Sequence, residues 1–273
     1  MPKQIDEVEF TIFDTETTGL EPDSGDRIVE IAGLRFKGQE RIAAFQALVN
    51  PGREISPAAF AVNKISAQML RDAPKMEEVA PKFLDFILGS CLCSYNAGFD
   101  LGFLNNELKL AGRPQLEGFV VVDVLKMSRR LLPSLERYPL WFVAQSLGIK
   151  SGQAHRASSD VELALGVFNR LRDMLAAKGV TDFASLTQLF AIDPRLMESL
   201  NAQRISRIQE AIELGVRLKI KYLSSSGAEV TEREVIPKEI KQENGRRYLV
   251  GYCCLRNDER TFRIDGILHL EIL

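Results

Sequence analysis

Two carboxylates stand two residues apart at the end of an apolar segment near the N-terminus. The segment Glu9–Leu20 reads EFTIFDTETTGL, in which Asp14 and Glu16 follow a run of strand-forming residues. Residues i and i+2 of a strand project from the same face, so the two acids are expected side by side. Like charges so close together are unfavourable unless a positive group lies between them. The pair therefore predicts a bound cation.

Two further acids open amphipathic segments later in the chain. Asp100 starts DLGFLNNELKLAG, whose apolar spacing predicts a helix stopped by Gly112. Asp160 lies in the first turn of a helix predicted over Ser158–Gly179, which has a serine cap and a terminal glycine. Each acid, taken singly, is also explained by capping or by the helix dipole. Both nevertheless lie at the edge of the helical stripe that should pack against a sheet.

Four carboxylates brought to one sheet edge would form a site for hard divalent cations. Such cations prefer oxygen ligands, and they would offset the repulsion within the cluster. Two Mg²⁺ or Mn²⁺ ions about 3.5–4 Å apart would build a phosphodiester-cleaving site, in which one ion activates a water and both stabilise the transition state. We therefore interpret Asp14, Glu16, Asp100 and Asp160 as candidate metal ligands.

The chain has two histidines, and they lie in different settings. His155 precedes Asp160 by five residues in the polar run KSGQAHRASSD, which indicates a loop before the long helix. Its unperturbed pKa near neutrality suits a general base, so we interpret His155 as the catalytic base. His269 lies in an alternating C-terminal strand, where a solvated surface position is the better interpretation.

The elements that must position these side chains predict an α/β unit over residues 1–178. The strand ending at Asp14 is followed by strand-forming segments at Arg27–Phe36 and Glu40–Asn50, which favour an antiparallel meander. Lys75–Leu88 has a helical apolar period, Cys91–Ala97 is typical of a short buried strand, and residues 118–132 predict a strand running into a helix.

A second unit is predicted over residues 204–273, after a less regular linker at 179–203. A short helix is expected over Ile205–Val216. Five short strand-like segments follow within about 60 residues, separated by turns such as SSG and ENG. This density of short strands favours a small β-barrel of the Sm/SH3-like kind.

Composition describes an ordinary globular chain rather than a polyanion-binding one. Of 273 residues, 45% are hydrophobic and 26% are charged, and the net charge is −2. Residues 203–273 carry 13 Lys and Arg against 11 Asp and Glu, so the remaining chain has a balance of −4. An acidic first part that approaches phosphates would need metal ions or a local basic rim.

Membrane insertion and export are not expected from the sequence. The chain has no apolar stretch of about 20 residues, and its N-terminus MPKQIDEVEF has acids where a signal peptide would be apolar. Four cysteines, none in CxxC or zinc-finger spacing, fit reduced core residues. We therefore expect a cytoplasmic protein with no membrane partner.

Three segments together resemble the motifs of the DEDDh exonucleases, the DnaQ-like group that includes polymerase proofreading subunits. They are FDTETTGL, SYNAGFD and HRASSD, and they keep the order and spacing of the family over about residues 8–176. The resemblance implies a ribonuclease H-like mixed sheet with flanking helices. It also implies 3′→5′ hydrolysis that releases nucleoside 5′-monophosphates, and a polymerase or repair partner.

The same resemblance implies roles for individual residues. Metal ligation is assigned to Asp14, Glu16, Asp100 and Asp160, and the base role to His155. Contacts to the terminal nucleotide or its strand are implied for Thr17, Gly19, Leu20, Asn96 and Phe99. The segment VNKISAQML resembles one that approaches the terminal base, and it adds Asn63 and Ile65.

The chain departs from the family before Asn96, where many members carry histidine and this sequence has Tyr95. The five chemical residues are intact, so we expect activity to be retained. Asp123 follows the apolar run FVVV, and the family pattern offers it no metal role. We interpret Asp123 as structural.

The C-terminal unit resembles a WYL domain. AIELGVRLKIKY, RYLVGYC and RTFRIDGI carry the resemblance, although Arg247 replaces the naming tryptophan and Gly266 replaces a usual arginine. Such domains have a groove thought to bind nucleic acid or nucleotides. The implied groove residues are Tyr222, Tyr248, Arg256, Arg260 and Arg263. Alternation of Arg and Phe in RTFRI is also typical of a solvated strand with one buried face.

The sequence thus predicts a metal-dependent 3′→5′ exonuclease acting on DNA or RNA, with a WYL-like domain that binds or senses nucleic acid. Two alternatives stay open. One is a nucleic-acid-binding regulator that uses the nuclease fold as a scaffold. The other is an oligoribonuclease-like enzyme acting on short RNA.

Overall fold

The computed structural model describes residues 3–116, 119–150, 156–192, 194–224 and 228–273, with the backbone alone for 194–202. A five-stranded mixed sheet forms the centre of the first unit. Its strands in chain order are β1 (Glu9–Thr17), β2 (Ile28–Lys37), β3 (Glu40–Leu48), β4 (Cys91–Ser94) and β5 (Val121–Asp123). The spatial order is β3-β2-β1-β4-β5; β1, β2 and β3 are antiparallel, and β4 and β5 run parallel to β1. The predicted meander and mixed sheet are confirmed.

Helices cover both faces of this sheet. In chain order they are α1 (Pro57–Asn63), α2 (Ala67–Leu70), α3 (Met76–Ile87), α4 (Ala97–Leu110), α5 (Val124–Leu131), α6 (Leu140–Ser146), α7 (Ala157–Ala177), α8 (Phe183–Phe190) and α9 (Pro194–Leu214). On one face α7 packs against β1 and β2. On the other, side chains of α3 and α4 share a core with Phe13 and Ile31. The sheet is therefore the middle layer of three.

An aromatic cluster joins α7 to the sheet. Phe168 of α7 lies with its ring centroid 5.2 Å from that of Phe10 and 5.5 Å from that of Phe36, and the two strand rings stack at 5.6 Å. All three side chains are fully buried. Aromatic pairs at these separations add to the free energy of burial. The cluster fixes the long helix against the sheet, and with it the position of Asp160 in its first turn.

The stretch between the two units is more regular than the sequence indicates. Residues 183–190 form α8, and α9 begins at Pro194, well before the predicted short helix. Asp182 caps α8, because its carboxylate accepts a hydrogen bond from the Ser185 amide at 2.8 Å. Leu186 and Phe190 of α8 are buried in the core of the first unit. Helical structure therefore replaces the irregular linker that was expected.

The second unit is a five-stranded antiparallel sheet. Its strands are β6 (Leu218–Leu223), β7 (Val230–Glu243), β8 (Arg246–Cys253), β9 (Asp258–Arg263) and β10 (Ile267–Ile272), in the spatial order β10-β6-β7-β8-β9. Ile208 and Ala211 of α9 are buried in the core of this sheet. The predicted small, barrel-like unit of five strands is confirmed.

The two units are in direct contact. α8 packs against β5 and α5 on one side and against β10 on the other. Arg130 donates a hydrogen bond from Nη2 to the Leu223 carbonyl at 2.6 Å, and Lys221 donates from Nζ to the Gly179 carbonyl at 2.8 Å. The Gln188 side-chain amide donates to the carbonyl of Ile267. Polar side chains thus bridge the junction from both units.

No helix in the described part of the chain has the length and apolar character needed to cross a bilayer.

Replacing Phe168 with alanine should lower the free energy of unfolding by about 3–5 kcal/mol, because it removes a buried ring and leaves a cavity. Chemical denaturation followed by circular dichroism measures this change. Leu88→Ala is the control: its side chain is exposed, so we expect a loss below about 0.5 kcal/mol. Equal losses in the two variants would contradict the role assigned to the aromatic cluster.

Candidate active site

Three of the four predicted acids converge between β1 and α7. Asp14 and Glu16 lie on β1, opposite Ala32 and Glu30 of β2, and Asp160 lies in the first turn of α7. Each offers a carboxylate oxygen, and these oxygens lie within 4.8 Å of one another. The side-by-side arrangement predicted from the i, i+2 spacing is therefore present, and the packing of α7 adds the third acid.

Asp100 lies beside this group with its oxygens hydrogen-bonded. The side chain is 2% exposed. Its Oδ1 accepts hydrogen bonds from the Thr15 amide at 2.9 Å and from Thr15 Oγ1 at 2.7 Å, and its Oδ2 accepts one from Ser94 Oγ at 2.5 Å. Thr15 stands between the two acids of β1. Asp100 therefore holds the strand at the point where Asp14 and Glu16 project.

Burial and mutual repulsion raise the pKa values of these acids. The pKa of Asp14 is raised well above its ordinary value, first by burial and then by the charges of Asp100, Glu16 and Asp160. Burial and the charge of Asp160 raise the pKa of Glu16 to about 8. Burial raises the pKa of Asp100 to about 6, against the hydrogen bonds from Ser94 and Thr15. Oxygen donors that repel each other in this way fit hard divalent cations, which supply the missing positive charge.

Glu30 is a buried acid of the site that sequence reasoning missed. It lies opposite Glu16 and is fully buried. Its carboxylate accepts hydrogen bonds from Arg156 at 2.7 and 3.0 Å, from Gln46 at 2.8 Å and from the Ala157 amide at 3.1 Å. Burial alone would raise the pKa of Glu30, but these hydrogen bonds lower it overall. The signal in the sequence was an isolated acid within the apolar strand RIVEIAG.

The contact between Glu30 and Arg156 holds the start of α7. Arg156 is the residue immediately before the helix, and Ala157 is its first residue. Because Glu30 receives hydrogen bonds from both, it links the N-terminus of α7 to β2. Asp160 is three residues further along the helix. Glu30 is therefore a positioning residue for Asp160.

A second buried acid, Glu107 of α4, anchors the other side of the site. It accepts hydrogen bonds from Arg27 at 2.7 and 2.8 Å and from the Ile28 amide at 3.0 Å. Nearby, Asp26 accepts a hydrogen bond from Thr18 Oγ1 at 2.9 Å and closes the turn that follows β1. A Cβ atom at Gly19 would lie 2.2 Å from Asp26 Oδ2, so a larger residue there would displace the carboxylate that closes the turn.

A cavity of about 280 Å³ opens beside the acids, with a mainly apolar lining. Five of the predicted substrate residues line it together with Glu16: they are Thr17, Gly19, Leu20, Asn63 and Phe99. Leu20 is 75% exposed, and Phe99 packs against Phe103 with ring centroids 4.9 Å apart. Because Glu16 belongs both to the acid group and to this lining, a molecule in the cavity would lie against the metal-ligating oxygens.

Ile65 and Asn96 lie outside this cavity lining, whereas Asn63 belongs to it and also has a structural role. Asn63 is buried and holds the turn, since its Nδ2 donates to the Thr17 carbonyl at 3.3 Å and its Oδ1 accepts from the Ile65 amide at 3.0 Å. Ile65 is 0% exposed and packs in a small core with Val29, away from the cavity lining. Asn96 precedes α4 with a left-handed φ of 69° and lines a different cleft.

His155 lies outside the described residues, so its role as base stays a prediction. Tyr95, which replaces the usual family histidine, is half-buried and donates a hydrogen bond to the Tyr138 carbonyl at 2.6 Å. Asp123 accepts hydrogen bonds from the Leu125 and Lys126 amides at 2.8 and 3.1 Å. It therefore caps α5, as its structural interpretation required.

The structure brings together three of the five predicted groove residues of the second unit, which are Tyr222, Tyr248 and Arg263. Tyr222 is a core residue that packs edge-on against Phe262, and its hydroxyl accepts a hydrogen bond from the Arg263 amide at 3.3 Å. Tyr248 of β8 pairs with Arg263 of β9. The other two arginines are exposed elsewhere: Arg256 lies in the turn between these strands, and Arg260 forms a salt bridge with Asp258 at 3.4 Å.

Comparison with known families identifies the family of each unit. The exonuclease family model matches residues 11–168, which is more than half of the chain. The chain belongs to the exonuclease family. A WYL domain model matches residues 203–272, so the second unit is of that kind. The predicted DnaQ-like exonuclease unit followed by a WYL domain is confirmed.

Relatives of this exonuclease include parts of bacterial polymerases. The chain is 31% identical over 252 residues to a DNA polymerase III PolC-type protein of Caldanaerobacter subterraneus subsp. tengcongensis, covering 91% of this chain and 18% of the relative. It is 37% identical over 202 residues to a DNA polymerase III subunit epsilon-like protein of Rhodobacter capsulatus, covering 72% and 28%. It is 39% identical to DNA polymerase III subunit epsilon of Treponema pallidum, covering 60% and 76%. The chain spans less than a third of the first two relatives.

Solved exonucleases have the same fold. Exonuclease X in complex with 5′ overhanging duplex DNA superposes with a TM-score of 0.51 and 27% identity, covering 65% of this chain and 99% of that one. Exonuclease I superposes with a TM-score of 0.56 and 18% identity, covering 90% and 55%. The ribonuclease H-like fold predicted for the first unit is confirmed.

Removing divalent cations should make stability fall as pH rises. A carboxyl whose pKa is raised by folding binds more protons in the folded state, so its contribution to stability is present below about pH 4.5 and lost as pH approaches 8 for Glu16. In EDTA, ionisation of Glu16 should therefore lower the Tm as the pH rises from 5 to 8, and thermal denaturation measures this change. Glu16→Gln should reduce the decline, and Mg²⁺ should restore the Tm most at high pH. An identical pH dependence in wild type and Glu16→Gln would contradict this electrostatic account.

Glu30→Gln should destabilise the protein by about 1.5–3 kcal/mol, because it weakens hydrogen bonds to a charged partner, Arg156. It should also lower nuclease activity, since the start of α7 would lose its attachment to β2. Denaturation midpoints and cleavage rates measure the two effects. Glu162→Gln on the same helix is the matched control: its bond to Arg41 is exposed and should contribute less than about 1 kcal/mol. Similar effects of both substitutions would exclude the positioning role.

Proposed function

We propose that this exonuclease is a divalent-metal-dependent enzyme that removes nucleoside 5′-monophosphates from the 3′ end of DNA. One observation carries the proposal: the carboxylate oxygens of Asp14, Glu16 and Asp160 lie within 4.8 Å of one another beside a cavity that Glu16 also lines. An acid group that continues into an apolar cavity suits a ligand with a phosphate at one end and a base at the other.

Asp14, Glu16 and Asp160 are the residues that would hold two cations, Mg²⁺ or Mn²⁺. When bound, the cations supply countercharge and Lewis-acid polarisation of the phosphate. Asp100 keeps the acids of β1 in place through Thr15 and adds negative charge beside them. Three acids therefore ligate the cations directly, and Asp100 positions the two acids of β1.

The cavity orients the terminal nucleoside. Leu20 and Phe99 offer apolar surface to its base and sugar, and the Gly19 turn lets the backbone approach. The scissile phosphodiester then lies against Glu16. A water attacks phosphorus in line, and the new P–O bond forms as the bond to the 3′ oxygen of the penultimate nucleotide breaks. The proton of the water passes to His155, and the leaving 3′ oxygen takes a proton from solvent. The products are a nucleoside 5′-monophosphate and a strand with a new 3′ hydroxyl.

The identity of the relatives favours DNA as the substrate. Three of them carry DNA polymerase III in their names, at 31 to 39% identity. On the same ground we propose that the chain acts together with a DNA polymerase or a repair enzyme. Structures of RNA-directed exonucleases share under 25% identity with this chain and support the fold alone.

Degradation of end-labelled oligonucleotides tests the proposed reaction. In Mg²⁺, a 3′-labelled DNA strand should release its label as a mononucleotide at once, and a 5′-labelled strand should shorten in single-nucleotide steps; EDTA should stop both. Matched RNA strands test the preference for DNA. Asp160→Asn should lower the rate by at least about a hundredfold, the scale of lost charge stabilisation at a reacting centre.

Asp173→Asn is the control, because Asp173 is an exposed acid later on the same helix. It should cleave as the wild type does, and circular dichroism should show both variants folded. Mg²⁺-dependent cleavage by Asp160→Asn at the wild-type rate would refute the metal-site assignment. Release of mononucleotides from the 5′ end first would refute the polarity.

A further inference from the structure

A second cleft, of about 410 Å³, lies at the junction of the nuclease unit and the WYL unit. Its charged lining comes from both units: Lys126, Arg129 and Arg130 from α5, and Arg246 and Arg263 from β8 and β9. Two carboxylates, Asp123 and Asp265, also line it, which leaves a net charge of +3. In a chain whose overall charge is −2, this is a local concentration of positive charge.

The two carboxylates leave much of this positive charge uncompensated. Asp123 accepts hydrogen bonds from two backbone amides at the start of α5. Asp265 forms a salt bridge with Arg263 at 2.5 Å. Burial alone would raise the pKa of Asp265, but the hydrogen bond from Arg263 and the charges of Arg263, Arg130 and Lys126 lower it. A single carboxylate is therefore shared among three cations.

The two half-buried cations of the cleft, Lys126 and Arg130, donate hydrogen bonds to backbone carbonyls. Lys126 donates from Nζ to the Ala191 carbonyl at 3.2 Å, and Arg130 donates from Nη2 to the Leu223 carbonyl. Burial lowers the pKa of both side chains. Arg130 Nε is buried and has no hydrogen-bond partner among the described residues. Cations in partly dehydrated surroundings bind an anion more tightly than solvated ones do, because water competes less.

Gly266 lets the nuclease unit contribute to this cleft. A Cβ atom at this position would lie 2.7 Å from Arg130 Nη2 and 2.9 Å from Tyr222 Cε2. The position therefore has no room for a side chain while Arg130 reaches across the junction. In this chain an arginine of the nuclease unit occupies the space next to Gly266, so the cationic lining is complete only when both units are together.

The cleft begins next to the candidate active site. Asn96 lines it, and the same residue immediately precedes α4, whose first turn carries Asp100. β4, which ends at Ser94, lies beside β1, which carries Asp14. A nucleic-acid backbone that runs from the acid group past Asn96 would thus enter the cationic cleft.

We propose that the junctional cleft binds the phosphodiester backbone of the substrate strand, upstream of the bond that is cut. This inference rests on the proposed exonuclease function and deepens it. It assigns Arg129 and Arg246, one from each unit, as strand-binding residues. The WYL unit thereby contributes to holding long substrates through a surface that it shares with the nuclease unit.

Substrate length separates this role from catalysis. A dinucleotide with a 5′ hydroxyl has one phosphodiester, the scissile one, and has no upstream phosphate to place in the cleft. A 20-nucleotide single strand has many. In the full chain, Arg129→Ala and Arg246→Ala should each lower the ratio of kcat/KM for the 20-mer to that for the dinucleotide by about three- to tenfold, as expected for one charge-assisted contact.

Matched variants control for the loss of one positive charge. Arg170→Ala removes an exposed arginine from α7 of the nuclease unit, and Arg217→Ala removes one next to β6; neither residue lines the cleft. Both should leave the ratio unchanged. An unchanged ratio in Arg129→Ala and Arg246→Ala, or an equal fall for both substrates, would overturn the proposal.

Binding without cleavage gives a second readout. In EDTA, fluorescence anisotropy of a labelled 20-mer should show a salt dependence of log Kd whose slope falls by about 0.7 for each cleft arginine removed, the value for one phosphate contact on a single strand. If the wild type binds the strand in this way but releases no mononucleotide in Mg²⁺, the proposed exonuclease function is wrong. Strand binding by the cleft would still be supported.

Free anions are the alternative source of phosphate for the cleft. Inorganic phosphate and dAMP are therefore titrated against the labelled 20-mer. Weak competition at millimolar concentration, equal for both competitors, supports recognition of a strand. Tight binding of dAMP that Arg129→Ala abolishes, with 20-mer affinity unchanged, would overturn the proposal in favour of a nucleotide effector site.

Discussion

Repulsion among half-buried carboxylates is the constraint on which the rest of the nuclease unit depends. Asp14, Glu16 and Asp160 meet where β1 and α7 pack together, and the pKa values of the two strand acids are raised as a result. Such a group persists only if stronger forces hold its supports together. The aromatic cluster of Phe10, Phe36 and Phe168 supplies that force, because it fixes α7 against the strands through burial of apolar rings.

Two other buried acids of the unit, Glu30 and Glu107, are paired with arginines within the fold, and this contrast marks the site. Glu30 has Arg156 as its partner, and Glu107 has Arg27. Both ion pairs lie close to the cluster and attach its supporting elements. Breaking such a pair leaves an uncompensated buried charge, so these contacts define the geometry strongly. The repulsion between Asp14 and Glu16 of β1, by comparison, is offset only when a cation binds. This need for a bound cation is typical of a metal site.

Sequence patterns and packing contributed differently to this site. The i, i+2 spacing of Asp14 and Glu16 and the three motif segments were enough to predict the acid group, because strand periodicity and helix starts are local properties. Glu30 escaped prediction, since an acid in an apolar strand acquires meaning only when Arg156 folds onto it. Ile65 and Tyr222 were assigned to ligand surfaces by resemblance; the fold buries both, because each faces a core that the local sequence does not reveal.

By itself, the sequence determined the order of elements, the mixed sheet with its five-stranded companion and the identity of the acids. These follow from apolar periodicity and from side-chain chemistry, which act over a few residues. Only the tertiary structure decided that Asp100 is hydrogen-bonded beside the acid group, that residues 183–190 are a helix joining the units, and that Arg130 lies against Gly266. Each of these depends on residues far apart in the chain, whose contacts are set by how whole layers pack.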